Sequence, residues 1–233
     1  MAVRIVLCLL LAFSKVAFSQ SDSLLFTAIN EPRPAKNPAD AIFNGREHIL
    51  YHPQISGTAY FDSGGWQKGP ILYQNILYKD VPMKYDLVAD ELVVFHVNGY
   101  SRVVLFTPWI QTFTLGNSKF VYLEAGEAPL SRAGLYQELV KGSTGLYAKR
   151  LKLISETAST FAVERKFENR YSYFVLMNGK YHKVNSRKDA MALLKDKKNQ
   201  VRSKLKAAGI RRFKPNLDLA LTKTIEYYNE LSR

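Results

Sequence analysis

The sequence predicts a mainly β (α+β) protein, an antiparallel sandwich or open barrel of about ten strands followed by a C-terminal basic helix pair. Three observations carry this. Between residues 46 and 184, short β-rich runs alternate with turn residues, and two of the junctions are Asn-Gly. From residue 185 on, the apolar residues change to helical spacing, with capping residues at the ends. The 233-residue chain is 47% hydrophobic, with 14 Tyr and 13 Phe, which excludes disorder over most of its length. A chain of this size buries roughly 70% of the surface its unfolded state exposes, so it needs no staples to build a core.

Residues 1–19 read as a secretory signal peptide. Arg4 gives the positive start, and residues 5–13 form an apolar run shorter than the roughly 20 residues that span a bilayer. Ala17-Phe18-Ser19 offers small residues for cleavage before Gln20, and Lys15 is an irregularity. The only cysteine, Cys8, lies inside this leader, too close to the start to be a lipidation site. The mature chain is then expected to carry no thiol, which excludes thiolate catalysis, Cys-bound metals and disulfides. No second run of about 18 apolar residues exists, so no transmembrane span is expected in the mature chain. Residues 20–45, interrupted by Pro32, Pro34 and Pro38, read as an extended lead-in whose residues 24–26 suit an edge.

The β domain spans residues 46–184. Asn98-Gly99 joins runs 91–97 and 100–106, and Asn178-Gly179 joins 171–177 and 180–184. Both read as hairpins, because a type I′ turn needs positive φ at two central residues. Gln74-Asn75 between 71–73 and 76–78, and Gly116-Asn117-Ser118 between 113–115 and 119–123, are weaker hairpin signals. Further strands are expected over 146–154 and 161–167. Connections this short make neighbours antiparallel. Runs of four or five residues followed by basic helices speak against an integral outer-membrane barrel, whose strands need about 9–11 residues.

The tail covers residues 185–233. Ser186-Arg-Lys-Asp189 resembles a capping box and opens a run to about Ala208, with Met191, Leu194, Val201, Leu205 and Ala208 as its stripe and Gly209 as its stop. After Pro215, Asn216 caps a second helix whose face is Leu217, Leu221, Ile225, Tyr228 and Leu231. The formal net charge is +13, and residues 183–233 hold 14 Lys/Arg against 5 Asp/Glu. The body is therefore nearly neutral and the tail strongly basic.

The stretches Gly57-Thr-Ala-Tyr-Phe61, Gly69-Pro-Ile-Leu-Tyr73 and Ile76-Leu-Tyr-Lys-Asp-Val-Pro-Met-Lys-Tyr-Asp86 resemble a group of uncharacterised exported β-rich proteins of Bacteroidetes-type bacteria, as do Lys195-Asp-Lys-Lys198 and Tyr227-Tyr228-Asn229. The resemblance covers most of the mature chain and brings no defined activity. It implies a Gram-negative envelope location.

No motif assigns a reaction. His48 and His52 are four apart, but Pro53 follows, and on an extended chain they stand roughly 13 Å apart, too far to share a zinc. His96 and His182 each sit alone in a strand, where a histidine is ordinarily structural; a partnership with Asp86, Asp90 or Glu91 stays open, since triads assemble in space. Asp86, Asp90 and Glu91 cluster, as do Glu124 and Glu127, and acids beside turns are usually solvated. Gly64-Gly65 and Gly142-Ser-Thr-Gly145 lack the spacing and Lys of a phosphate loop. The aromatic residues of the first half are mainly packing residues; Trp66, Tyr85 and Asp86 are the candidate ligand contacts. The basic tail is either a solvated face or a candidate anionic-surface site through Lys195, Lys198, Arg202, Lys206, Arg211 and Arg212. No nucleic-acid motif accompanies this charge.

These readings converge on an exported protein, periplasmic or peripheral at the outer membrane, acting as a non-catalytic binding or assembly module. It is expected to use no cofactor and no metal, and its partner would be an envelope protein or an anionic membrane surface. The alternative is a hydrolase on cell-wall or glycan substrates using Asp/Glu and His residues.

Overall fold

A computed structural model describes residues 38–233, apart from residue 127, residues 159–162, and residues 215 and 233. The leader expected over 1–19, with Cys8, and most of the lead-in 20–45 lie outside the described residues. Among these described residues, eleven antiparallel strands form one open sheet, and three helices follow. In chain order the strands are β1 (Arg46–Glu47), β2 (Gln67–Tyr73), β3 (Ile76–Asp86), β4 (Glu91–Phe95), β5 (Arg102–Val104), β6 (Ile110–Leu115), β7 (Ser118–Leu123), β8 (Gly134–Val140), β9 (Gly145–Ala158), β10 (Val163–Met177) and β11 (Lys180–Lys183). The helices are α1 (Arg187–Leu193), α2 (Lys198–Ala207) and α3 (Leu217–Leu231). The strand order is β1-β5-β4-β3-β2-β6-β7-β8-β9-β10-β11, so the mainly β architecture is a single sheet and its tail holds three helices rather than two.

The turn chemistry explains most of this order. Asn178 and Gly179 both take positive φ, 51° and 75°, and Met177 pairs with Lys180 across them. Gln74 and Asn75 do the same at 51° and 62°, between paired Tyr73 and Ile76. Gly116 at φ 54° opens a two-residue turn between paired Leu115 and Ser118. The Asn98-Gly99 junction is wider than a two-residue hairpin. Only Gly99 has positive φ, and the Asn98 side chain accepts from the backbone N–H of Tyr100 and Ser101 instead. Gly69 in β2 is required by a close approach, since a Cβ there would lie 2.1 Å from the Thr114 carbonyl oxygen.

Two large cores divide the sheet, and Leu130, Tyr136 and Phe174 form a smaller third cluster. Strands β2 to β8, with the 3-10 turn Pro38–Phe43, supply the first, in which Tyr73, Met83, Tyr85, Leu92, Phe113 and Phe120 are completely buried. Strands β8 to β10 and the three helices form the second, around Leu146, Val175, Leu194, Val201, Leu205 and Leu221. The segment 48–61 runs alongside β3 and β10, bridging Tyr60 to Asp86 and Ser56 to Lys166. No helix among the described residues is long and apolar enough to cross a membrane.

Local capping sets the tail. The Ser186 side chain accepts from the Asp189 N–H at 3.2 Å, and Asp189 accepts in return from the N–H of Asn185 at 3.1 Å, one residue before the Ser. The run expected to Ala208 breaks at residues 194–197, giving α1 and α2. Gly209, at φ 76°, ends α2, and the Ile210 N–H returns to the Leu205 carbonyl at 2.8 Å, the six-to-one bond of a Schellman turn. Asn216 caps α3 by accepting from the Leu219 N–H at 3.0 Å.

Candidate functional site

The clustered acids are engaged internally. Asp86 is fully buried and accepts from the Tyr51 hydroxyl and from the N–H groups of Val88 and Ala89 at 2.8 and 3.1 Å. His48 lies 3.9 Å from it and shares a 2.8 Å hydrogen bond with the Tyr60 hydroxyl. Burial lowers the His48 pKa, with Asp86 pulling against it, and burial beside Asp86 raises the Tyr51 phenol. This cluster is a neutral histidine and two phenols around a saturated carboxylate.

Asp90 belongs to a second buried cluster. It accepts from the Lys149 ammonium at 2.6 Å and from the Tyr85 hydroxyl at 2.6 Å. Lys149 also donates to the Leu135 carbonyl at 3.0 Å, and its ammonium lies 4.7 Å from the Tyr136 ring centre. Burial lowers the Lys149 pKa and Asp90 partly restores it. Glu91, the third acid, pairs with Arg46. Glu124 is exposed, and Glu127 lies outside the described residues.

Trp66, Tyr85 and Asp86 do not meet on one surface. Successive strand residues face opposite ways, so Tyr85 enters the first core while Asp86 faces segment 48–61. Trp66 is partly exposed, packs 5.0 Å from Phe95, and together with Tyr60 flanks the Lys84 ammonium. His52 accepts from the Gln54 N–H, His96 accepts from the Asn98 N–H beside Phe43, and His182 lines a cleft with Lys195. Among the described residues, no three His, Cys, Asp or Glu side chains gather to hold a metal ion.

The tail differs in kind. Helix α2 directs Val201 and Leu205 into the second core, leaving Lys198, Arg202 and Lys206 along an exposed i, i+4, i+8 stripe. Like charges four apart on a helix oppose folding by a few tenths of a kcal/mol each, about 0.2–0.5. The nearby carboxylates do not relieve them. Glu230 pairs with Lys204 at 2.7 Å, Glu226 with Lys223 at 2.8 Å, and Asp218 with Arg150 at 2.8 Å. Asp189 serves the α1 cap and Asp196 faces the Tyr228 hydroxyl.

Three of the six expected anion-contacting residues converge. Arg202 and Lys206 from α2, and Arg211 after the Gly209 turn, line a cleft of about 380 Å³ together with Arg187 of α1 and Ile210. Arg187 is fixed by donating to the Arg211 carbonyl at 2.9 Å, with its guanidinium 5.9 Å from the buried Phe213 ring. Lys195 lines the separate cleft of about 880 Å³, and Lys198 and Arg212 are exposed outside both. None of the six side chains has a hydrogen-bond or ion-pair partner among the described residues.

No protein-family model, curated protein or solved structure matches this chain. The site therefore rests on its own geometry. Sequence reasoning missed Arg187, because Ser186-Arg-Lys-Asp189 reads as a cap and Arg211, whose carbonyl it reaches, lies 24 residues further on, so no local signal marks it.

Proposed function

We propose that this chain is an exported cell-envelope protein that works without catalysis, as a binding or assembly module that holds an anionic surface through its helical tail. The observation that carries the reading is the uncompensated stripe of Lys198, Arg202 and Lys206, on a helix whose neighbouring carboxylates are all engaged elsewhere. Charge complementarity then favours an anionic membrane surface over a neutral protein face, and attraction to it falls with salt. The hydrolase alternative needs two carboxylates facing one cleft at about 5–9.5 Å. Asp86 and Asp90 are instead buried with their oxygens occupied, and the clefts of about 880 and 380 Å³ hold one carboxylate, Asp189, and none, respectively.

Fractionation of the native cell tests the proposal. Release of the protein from the membrane fraction by about 1 M salt, where screening shortens to about 3 Å, supports it. Recovery as freely soluble protein without a salt wash, or release by detergent alone, overturns it.

A further inference from the structure

We infer that the cleft between α1, α2 and the Gly209 turn is a binding site for a phosphate monoester group. The inference rests on the reading of the tail as an anion-binding surface and names the chemistry at one place on it. The cleft that holds Lys195 also holds the Asp189 carboxylate, whereas Arg187, Arg202, Lys206 and Arg211 line a common volume of about 380 Å³ with no carboxylate in its lining.

The arrangement is imposed by the fold. The Ser186 cap fixes where α1 begins, and so where Arg187 emerges. Arg202 and Lys206 share the outer face of α2 because Val201 and Leu205 occupy its inner one. The Schellman turn at Gly209 reverses the chain, delivering Arg211 to Arg187 and leaving Ile210 as an apolar wall. Arg187 is held in advance by the Arg211 carbonyl and the Phe213 ring, so less freedom is lost when an anion arrives.

The residue types select the ligand. Three arginines present planar forks that match the oxygens of a phosphoryl group, and the lysine adds a compact charge. A monoester carries about −1.5 to −2 charges and three open oxygens at neutral pH, against one charge and two open oxygens for a diester. Four converging cations therefore favour the monoester. The volume exceeds a phosphoryl group alone and leaves room for much of its ester, near the lower end of the ~300–1,000 Å³ of small-molecule sites. A monoester lipid headgroup and free phosphate share this chemistry.

The test uses the full mature chain and neutral phosphatidylcholine vesicles doped with phosphatidic acid, a monoester, or phosphatidylglycerol, a diester, adjusted to equal surface potential. Phosphatidic acid is expected to bind about tenfold tighter, the scale of one charge-assisted contact. Arg202→Gln, on an exposed helical position, and Arg211→Gln should each erase that preference. Lys195→Gln and Arg212→Gln should weaken both vesicles alike and keep it. Circular dichroism checks that each variant is folded. Inorganic phosphate that displaces the protein from phosphatidic acid identifies free phosphate as a ligand; failure to displace with the preference intact identifies the headgroup. Equal binding of the two lipids, or a preference that survives both Arg202→Gln and Arg211→Gln, overturns the inference while leaving the surface reading standing. Binding of inorganic phosphate without binding to any anionic vesicle keeps the cleft and overturns the surface reading.

Discussion

Replacing Asp90 by Asn tests whether the buried Lys149–Asp90 pair is structural. The ammonium and carboxylate are 2.6 Å apart, with side-chain exposures of 6% and 7%, so the substitution leaves a cation in the interior with one carbonyl and the Asn oxygen as acceptors. Removing one partner of such a pair costs about 3–5 kcal/mol. At a urea slope of about 3 kcal/mol per molar, that moves the midpoint down by about 1 M or more. Lys149→Met combined with Asp90→Asn removes both charges, and Tyr85 keeps an acceptor. The double variant should recover about 2 kcal/mol relative to the sum of the single losses. Linkage adds a second readout. Burial already lowers the Lys149 pKa, and Asp90→Asn deletes the partner that restores it. Between the lowered folded value and the unfolded value near 10.4, the unfolded chain binds more protons, so stability there rises with pH. The Asp90→Asn deficit should therefore shrink as pH is raised toward about 10. Additive losses in the double variant, together with a deficit independent of pH, would refute the pair as an energetic unit.

Three further outcomes follow from single positions. Gly134 sits at φ 144°, with a built Cβ only 2.7 Å from Lys149 Nζ and 2.9 Å from Asp90 Oδ2, so Gly134→Ala should destabilise by about 1–3 kcal/mol in the same urea assay. His48 is buried with its pKa lowered, so as pH falls below about 6.5 the unfolded chain takes the proton first and stability declines until the folded value is reached. His48→Gln should flatten that decline, whose slope is at most about 1.4 kcal/mol per pH unit, in urea midpoints taken between about pH 6.5 and 5. The Asn229 side chain accepts from Ser143 Oγ and the Thr144 N–H and donates to the Thr144 carbonyl, tying α3 to the β8–β9 turn. Asn229→Ala should cost about 1–3 kcal/mol and raise amide exchange in α3 before the sheet.

Local chemistry was legible in the sequence and non-local pairing was not. Asn178-Gly179, Gln74-Asn75, the Ser186 cap, the Asn216 cap and the Gly209 stop each act within a few residues, and each appears where its residues require. The strand β8 escaped notice because Gln137 and Glu138 interrupt its apolar run. Gln137 is buried, yet its two partners, Ser118 and Arg150, lie 19 and 13 residues away. Lys149, Arg150 and Lys152 are buried in β9 for the same reason. Their acceptors are Asp90, Asp218 and the carbonyls of Thr58 and Tyr60, which only the assembled sheet, α3 and segment 48–61 bring to them. For the tail, the excess of charge was visible in composition, and the separation of the six expected residues into a cleft group and a dispersed group was not. That separation depends on the break between α1 and α2 and on the return of the chain at Gly209.

The body and the tail treat the same residue types in opposite ways. In β9 every buried cation is given acceptors, which structural charge requires. On α2, Lys198 begins the helix, where the dipole disfavours a cation, and sits four residues before Arg202, where an acid would pair with it. Lys198→Glu corrects both defects and should stabilise the tail by about 0.5–1 kcal/mol, read as a rise in melting temperature. If the stripe exists to meet an anionic surface, the same change reverses one charge on it. Each basic residue near such a surface is worth about 1 kcal/mol, so a reversal should weaken vesicle binding by about tenfold or more at low salt. Greater stability with weaker binding is the pattern expected of a helix held away from its own optimum by a ligand. Greater stability with unchanged binding would mean that the stripe is a solvated face, and the anionic surface would have to be sought elsewhere on the protein.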